Sequence, residues 1–542
     1  MGEFNYKKEF DSWKWDIPEK YNIGYDCVDK HAEGKNKNKI ALLWENEDGD
    51  VEKYTFSEMK KLTNKFGNVL KKIGLEKGDR FLIRLPNIPA FHTSFIGGVK
   101  IGAVPIPSSV MFRGHEIEYR INDSSSKAVI TTSKYANQVR DIRDKCPTLE
   151  NVIVVDEPGE DELSYTELMN DASDKLVLEN TTKDDIAFFC YTSGTTGNPK
   201  GAVHLHRWVA GNDPSAKYWQ NLSENDIVGH TGDLSWIFPL GNGFLYVWRW
   251  GVTTFIYDGK FNPNKWFKLI EKYKITNLAS VPTCYRLFLT IKEAEKKYNL
   301  SSIRHCISAG EPLNPEVIVE WKKRFGLDIY DGIGMTEIMV YLSNLTDMNI
   351  KIGSCGKPQP GKICDVVDED GNPLTPEKPG ILAVKRDDPG LFREYWNKPE
   401  KTSKSFKGDW FLTGDVLYKD DDGYFWFSGR DDDLIMASGY RISPFEVESA
   451  LISHPDILEA AVVASPDKMR GVIVKAFVIL YDESKASNEL ILDIQEHTKK
   501  VSAPYKYPRE IEFVSELPKT QSGKIMRKQL RELEKSRKLG GE

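Results

Sequence analysis

Eleven consecutive positions constrain this 542-residue chain most. The run Tyr191-Thr192-Ser193-Gly194-Thr195-Thr196-Gly197-Asn198-Pro199-Lys200-Gly201 holds three glycines, four Ser/Thr hydroxyls and one lysine, and it directly follows the apolar, strand-like Ile186 to Cys190. A loop of that composition at a strand end can wrap phosphate oxygens with amides and hydroxyls while the lysine supplies charge. The spacing is not that of a P-loop NTPase: Lys200 comes three positions after Gly197 rather than directly behind a glycine, and no helix N-cap sequence follows. A surface turn rich in Ser, Thr and Gly is the alternative reading of this segment taken alone.

The chain around the loop reads as layered α/β structure. Thr55 and Glu58 form a capping box ahead of Met59, Leu62, Phe66, Leu70 and Ile73, and Gly74 can end that helix. Strand-like runs at Phe81 to Leu85, Val104 to Ile106, Val152 to Val155, Ile275 to Val281 and Ile303 to Ser308 alternate with helical stretches such as Ala90 to Ile101 and Pro315 to Phe325. From about Ile352 the texture turns to short strands with turns at Asp370-Gly371-Asn372-Pro373, Pro379-Gly380 and Asp422-Gly423, which predicts a small β subdomain over about 352–430. Beyond Gly429 the alternation resumes, with helices over Pro444 to Ser453 and Asn488 to Lys500 and strands over Ala460 to Ala464, Val474 to Leu480 and Ile511 to Val514. The expected architecture is a large N-terminal α/β domain with a β-barrel-like subdomain, residues 1–431, and a small mobile α+β C-terminal domain, residues 432–542.

Composition removes other classes. Hydrophobic residues make up 40% and charged residues 29%, enough to build cores and remain soluble. A formal net charge of −7 provides no global field for a nucleic-acid backbone. Seven cysteines without a C-x-x-C pair, no apolar N-terminal core and no uninterrupted apolar run of the roughly 18 residues a membrane span needs predict a cytoplasmic protein with reduced thiols. Tyr6 stands where a myristoylation pattern would need Ser or Thr.

Four further motifs follow the loop in order: Tyr330-Asp331-Gly332-Ile333-Gly334-Met335-Thr336-Glu337, Trp410-Phe411-Leu412-Thr413-Gly414-Asp415, Gly429-Arg430-Asp431-Asp432-Asp433 and Pro518-Lys519-Thr520-Gln521-Ser522-Gly523-Lys524. Together with the loop they resemble the core motifs of the adenylate-forming superfamily, which includes acyl-CoA synthetases, luciferases and peptide-synthetase adenylation domains. The resemblance covers residues 191–524; the N-terminal 180 or so residues fit it by length and texture alone. It implies that a carboxylic acid and MgATP form an acyl-adenylate, which then meets coenzyme A.

The residues suit that chemistry without the resemblance. A carboxylate attacking the α-phosphorus of ATP needs no general base, because the obstacle is repulsion between anions. Glu337 is a suitable Mg²⁺ ligand, Thr336 a phosphate donor, and Lys524 a point charge for the α-phosphate and the incoming carboxylate. Asp415 can accept both ribose hydroxyls while Arg430 donates to the same sugar. Taken singly, these read equally as a turn residue, a surface ion pair and a solvated lysine.

By position, the resemblance also assigns the nucleotide to Thr192 through Gly197 and Lys200, to Asp331 through Thr336 and to Arg470, with Gly310-Glu311-Pro312 on one side of adenine and Asp331 and Ile333 on the other. Ile333 stands where many relatives carry an aromatic, so stacking on adenine is expected to be weaker. Ser438-Gly439-Tyr440-Arg441-Ile442 and Ala503 to Arg509 look most like medium-chain acyl-CoA synthetases. In that group Ser438, Gly439, Tyr440, Arg441, Lys499, Tyr507, Pro508 and Arg509 would contact CoA, and Asp432 matches the hinge. The basic residues suit CoA phosphates and Gly439 a close pantetheine; surface charge is the plain alternative.

Acetyl-CoA synthetases carry a tryptophan where Gly334 stands, closing the acyl tunnel. Gly334 therefore predicts an acid longer than acetate, short or medium-chain and open to branched, hydroxylated or aromatic forms, as in fatty acid metabolism. Trp236 is either a wall of that tunnel or ordinary core. His204 and His206 read better as structural than as a metal pair, for want of a nearby third ligand. The rivals are a carrier-loading adenylation domain, a luciferase-like oxygenase and a regulator built on a dead synthetase fold. No carrier motif follows the tail, and Lys200, Thr336, Glu337, Asp415, Arg430 and Lys524 are all present. The expected partners are small molecules, with neither nucleic acid nor a membrane span, and a homo-oligomer is compatible with the sequence.

Overall fold

A computed structural model describes residues 4–192, 198–430, 433–437, 440–467, 470–520 and 524–539. Ser193, Gly194, Thr195, Thr196, Gly197, Asp432, Ser438 and Gly439 lie outside the described residues, as does the side chain of Arg441.

The first layer is a parallel sheet in the order Val104–Pro107, Arg80–Ile83, Ala128–Thr131, Asn151–Val154, Leu163–Ser164. Its inner strands are buried on both faces, which is why they read as unbroken apolar runs. The helix Phe56–Lys72 begins at the expected capping box: Thr55 Oγ1 accepts from the Glu58 amide at 3.2 Å, and Glu58 Oε2 accepts from the Thr55 amide at 2.7 Å. Met59, Phe66 and Leu70 enter the core from its inner face.

The second layer is a nine-stranded mixed sheet. Its middle is parallel and runs Ile329–Met335, His305–Ser308, Asn277–Ser280, Ile227–His230, Thr253–Asp258, Ile40–Asn46. Antiparallel strands finish both edges: Val51–Thr55 at one, Met339–Ser343 and then Lys357–Pro358 at the other. The chain thus returns from Thr253–Asp258 to pair with a strand about two hundred residues earlier, a crossover that local pattern does not reveal.

Between the layers stands the hairpin Ile186–Thr192/Lys200–Leu205, joined on its second strand by Glu394–Tyr395. The Gly- and Pro-rich stretch folds into an antiparallel five-stranded sheet of Cys364–Val367, Gly380–Lys385, Phe406–Lys407, Trp410–Lys419 and Phe425–Arg430. Bulges at Ile381/Ala383 and Val416/Leu417 curl it.

From Ile435 onward a separate core forms around Ile435, Val447, Val462, Val474 and Ile494. It contains the hairpin Ile457–Asp467/Gly471–Leu480, longer than its apolar centre suggests, with Glu510–Phe513 parallel to the second strand. This C-terminal domain meets the rest through Arg286 and Glu459, 3.8 Å apart, and through Asn314 Nδ2, which donates to Ser449 Oγ at 3.3 Å. No helix among the described residues is long and apolar enough to cross a membrane.

Candidate active site

The loop at 193–197 springs from the hairpin whose last register pair is Thr192 with Lys200. Lys200 Nζ lies 3.9 Å from the centre of the Tyr395 ring. Burial lowers the Lys200 pKa, and the charge of Glu337 opposes that shift. The Tyr395 hydroxyl donates to Glu337 Oε1 at 2.5 Å, and burial together with that carboxylate raises the phenol's pKa. Lys200, Tyr395 and Glu337 therefore form one cluster at the mouth of the loop. Two of the three are sequence candidates. Tyr395 is not, because it belongs to a two-residue strand that carries no periodicity of its own.

Glu337 itself is buried and sits between the strands Ile329–Met335 and Met339–Ser343. The turn between them requires Met339 at φ 77°, a left-handed conformation unusual for a side chain of that size. Thr336 lies in that turn, and Met335 and Ile333 are partly buried against the core beneath the curled sheet. Gly332 is pressed between Trp219 and Val340. Burial raises the Asp331 carboxyl well above the usual carboxylate range, and its Oδ1 is buried with no hydrogen-bond partner. An orphaned acceptor of that kind costs stability unless a ligand donates to it.

Gly310 adopts φ 103°, and the carboxylate of Glu311 behind it is held by neighbouring donors. It accepts from the Thr283 amide at 2.7 Å, from Thr283 Oγ1 at 2.5 Å and from Arg286 at 3.3 Å. Those donors occupy its oxygens, so the expected contribution of Gly310-Glu311-Pro312 to a base falls to the backbone.

Asp415 and Arg430 are register partners in the curled sheet, and Arg430 donates to Asp415 Oδ1 at 2.9 Å and to the Thr413 carbonyl at 3.1 Å. Gly414 between them takes φ 75°, and a Cβ there would stand 3.1 Å from the guanidinium. Lys524 reaches the same place from the C-terminal domain. Its amide donates to Thr520 Oγ1 at 3.1 Å and its carbonyl accepts from the Thr520 amide at 2.7 Å, closing the loop that presents it. Its side chain is exposed. Partial desolvation by the surrounding protein lowers its pKa, opposed first by the charge of Asp415 and then by Glu311 and Glu337, with Arg430 adding to the lowering.

The residues expected around CoA gather elsewhere. Lys499 Nζ stands 4.4 Å from the Tyr507 ring and pairs with Glu496, and Arg509 donates to the Tyr507 hydroxyl at 2.9 Å. Tyr440 is exposed and stacks on Tyr505 with ring centres 4.2 Å apart. Among the described residues their partners belong to the C-terminal domain, whereas the charges that act on the Lys524 side chain belong to the large domain. Pro508 is buried and its carbonyl accepts from Gln495, so it shapes the turn. The Arg470 amide caps Asp467 at 2.8 Å in the hairpin turn.

One expectation needs correcting. A Cβ on Gly334 would lie 2.2 Å from the Met339 carbonyl oxygen, so a tryptophan there meets the backbone of the neighbouring strand and not an open tunnel. The cause is the bulge at Ile333/Gly334, which turns this position into the hairpin. Trp236 is partly buried, its ring 6.2 Å from Phe112 and packed on the cluster that includes Tyr191, a position compatible with both of its readings. The histidines are structural: His204 is held neutral by burial, with its pKa driven to about 3, and stacks on Phe188, while His206 Nδ1 accepts from the Ile23 amide. Among the described residues no three His, Cys, Asp or Glu side chains converge as metal ligands.

A chain that brings the two flanks of a Ser/Thr/Gly segment, a buried glutamate, an Asp–Arg pair and a lysine from a second domain together has the layout of an adenylate-forming ligase. Comparison with known proteins agrees. Residues 28–396 match the AMP-binding enzyme family, and residues 446–524 match the AMP-binding enzyme C-terminal domain. The chain is 42% identical to the uncharacterized acyl–CoA ligase YtcI of Bacillus subtilis (strain 168), covering 96% of this chain and 97% of that protein. It is 39% identical to the mitochondrial acyl-coenzyme A synthetase ACSM3 of Rattus norvegicus, covering 98% and 93%. Among solved structures, the anthranilate CoA ligase AuaEII in complex with anthranoyl-AMP superposes with a TM-score of 0.90 at 32% identity, covering 96% of this chain and 98% of that one. The chain belongs to the AMP-binding enzyme family. Its activity is that of an AMP-forming acid–CoA ligase.

Proposed function

We infer that this ligase acts on a carboxylic acid larger than acetate, in two half-reactions served by two placements of the C-terminal domain. The observation that carries the reading is Lys524, which stands among Asp415, Arg430 and Glu337 while Lys499, Tyr507 and Arg509 face other parts of its own domain. In the first step a carboxylate oxygen bonds to the α-phosphorus as the bond to pyrophosphate breaks. Lys524 offsets the charge that builds there, Asp415 and Arg430 hold the ribose, and the loop from Thr192 to Lys200 with Thr336 takes the outer phosphates. Asp331 Oδ1, buried and unpartnered, has the chemistry to accept from the adenine amino group.

Mg²⁺ fits this donor set only as part of MgATP. The buried carboxylate of Glu337 would be the protein's share in holding it, alongside the phosphate oxygens of ATP. When bound, the ion neutralises phosphate charge.

In the second step the CoA sulfur bonds to the acyl carbon and AMP departs. That step needs a different face of the domain, with Tyr440, Arg441, Lys499 and Arg509 toward CoA, so we place the domain boundary at 431/432 and the pivot at Asp432. The fit to an anthranilate ligase supports acids up to medium-chain or aromatic size, with Trp236 as a pocket wall. Seven free thiols, six of them buried, suit a reducing cytoplasm. Pyrophosphate release measured from acetate through dodecanoate and benzoate-type acids, with and without CoA, tests the reading. A folded protein that prefers acetate, or releases none with any acid, overturns it.

A further inference from the structure

Asp123, on the helix Gly114–Ser124 of the first layer, lies outside every motif, yet it is tied to both ends of the phosphate loop. Its Oδ2 accepts from the Tyr191 hydroxyl at 2.8 Å, two residues ahead of the loop. Its Oδ1 accepts from Tyr119 at 3.1 Å and from Lys398 Nζ at 2.8 Å. The Tyr119 hydroxyl shares its proton with the Pro199 carbonyl, 3.0 Å away at the far end of the loop. Tyr119 and Asp123 are four apart on one helix, so their side chains share a face and meet the loop together.

Lys398 extends the cluster. It follows the strand Glu394–Tyr395 by three residues, and its amide donates to the Tyr395 carbonyl at 3.0 Å. One carboxylate thus joins the two feet of the loop to the segment whose tyrosine holds Glu337. Asp123 and Lys398 are largely shielded, 11% and 20% exposed, so the pair is poorly screened by solvent. Burial and the adjacent carboxylate raise the Tyr191 phenol and keep it a donor.

We propose that Asp123, with Tyr119, is a positioning residue for adenylation: it fixes the feet of the phosphate loop and so sets the placement of the outer phosphates of ATP. The inference rests on reading that loop as the phosphate cradle. A phosphate-binding segment whose flanking residues are already held in place loses less freedom on binding. Acyl transfer to CoA begins after pyrophosphate has left and does not use that placement, which separates a positioning role from a merely structural one.

Tyr119→Phe and Asp123→Asn are to be measured in each half-reaction separately. Both are expected to raise the KM for ATP, and for pyrophosphate in the reverse exchange, by about tenfold, the scale of one lost hydrogen bond to a charged group. Conversion of supplied acyl-AMP and CoA should be unchanged. Equal loss of both half-reactions, or loss of neither, in Tyr119→Phe overturns the proposal, and that variant removes a single oxygen if Asp123→Asn fails to fold. Thr195→Ala runs beside them. If Thr195→Ala leaves adenylation intact, the reading of the loop itself fails; if Thr195→Ala loses adenylation while the other two keep it, only the role of Asp123 falls.

Discussion

The Tyr395 hydroxyl donates to Glu337 Oε1 at 2.5 Å, while the face of the same ring carries Lys200 Nζ at 3.9 Å. One aromatic side chain therefore orients the carboxylate assigned to MgATP and the lysine that ends the phosphate loop. Tyr395→Phe keeps the ring under Lys200 and removes only the donor. A hydrogen bond to a charged group is worth about 1.5–3 kcal/mol, so adenylation should fall roughly ten- to hundredfold, with a steeper dependence on Mg²⁺. ATP–pyrophosphate exchange titrated with Mg²⁺ checks this; an unchanged titration would remove Tyr395 from the site.

Gly334→Trp should not make an acetate enzyme in this backbone. The new Cβ would press on the Met339 carbonyl at 2.2 Å, and the neighbouring strand would have to move. Thermal unfolding should show a drop of several degrees, with activity lost on acetate and longer acids alike. A variant that kept its Tm and gained preference for acetate would mean that the side chain finds a tunnel after all.

The pH dependence of the first step follows from Lys524, whose pKa lies below the ordinary lysine value because desolvation outweighs the pull of Asp415. The sign is that of a cation lost early. Adenylation kcat/KM for ATP is level at neutral pH and falls as pH rises through that lowered pKa, earlier than a free lysine would titrate. Between the two pKa values the unfolded chain binds more protons, so stability attributable to this group rises with pH; below both, its charge is a cost to the fold. Lys524→Ala should therefore unfold at the same or a higher temperature than the parent at neutral pH. A lower Tm would show that the lysine is stabilising where it stands.

Much of this site is legible in sequence because its chemistry is written in contiguous runs. The motif around Asp415 and the one around Arg430 are each short, and the register of two adjacent strands then places the pair side by side. The helix Phe56–Lys72 is legible for the same reason, since its cap and apolar face are local. What sequence hides is set by distance along the chain. Tyr395 reaches Glu337 through a two-residue strand, Asp123 reaches Tyr191 across two layers, and Ile40–Asn46 finds its partner far downstream. Gly334 misleads for another reason: the direction of a Cβ depends on the bulge beside it, which spacing does not record.

The central claim is that one domain serves two steps by changing place. Lys524 stands with Asp415 and Glu337, whereas Lys499, Tyr507 and Arg509 bond within their own domain, so both sets cannot face one acyl group together. A proline at 432 fixes φ and removes an amide at the proposed pivot. The most direct measurement is each half-reaction alone, in Lys524→Ala and in Asp432→Pro. Lys524→Ala should lose adenylate formation about a hundredfold or more yet convert supplied acyl-AMP and CoA at the parent rate, while Asp432→Pro should form adenylate and fail to make the thioester. Equal loss of both steps in both variants would contradict the account.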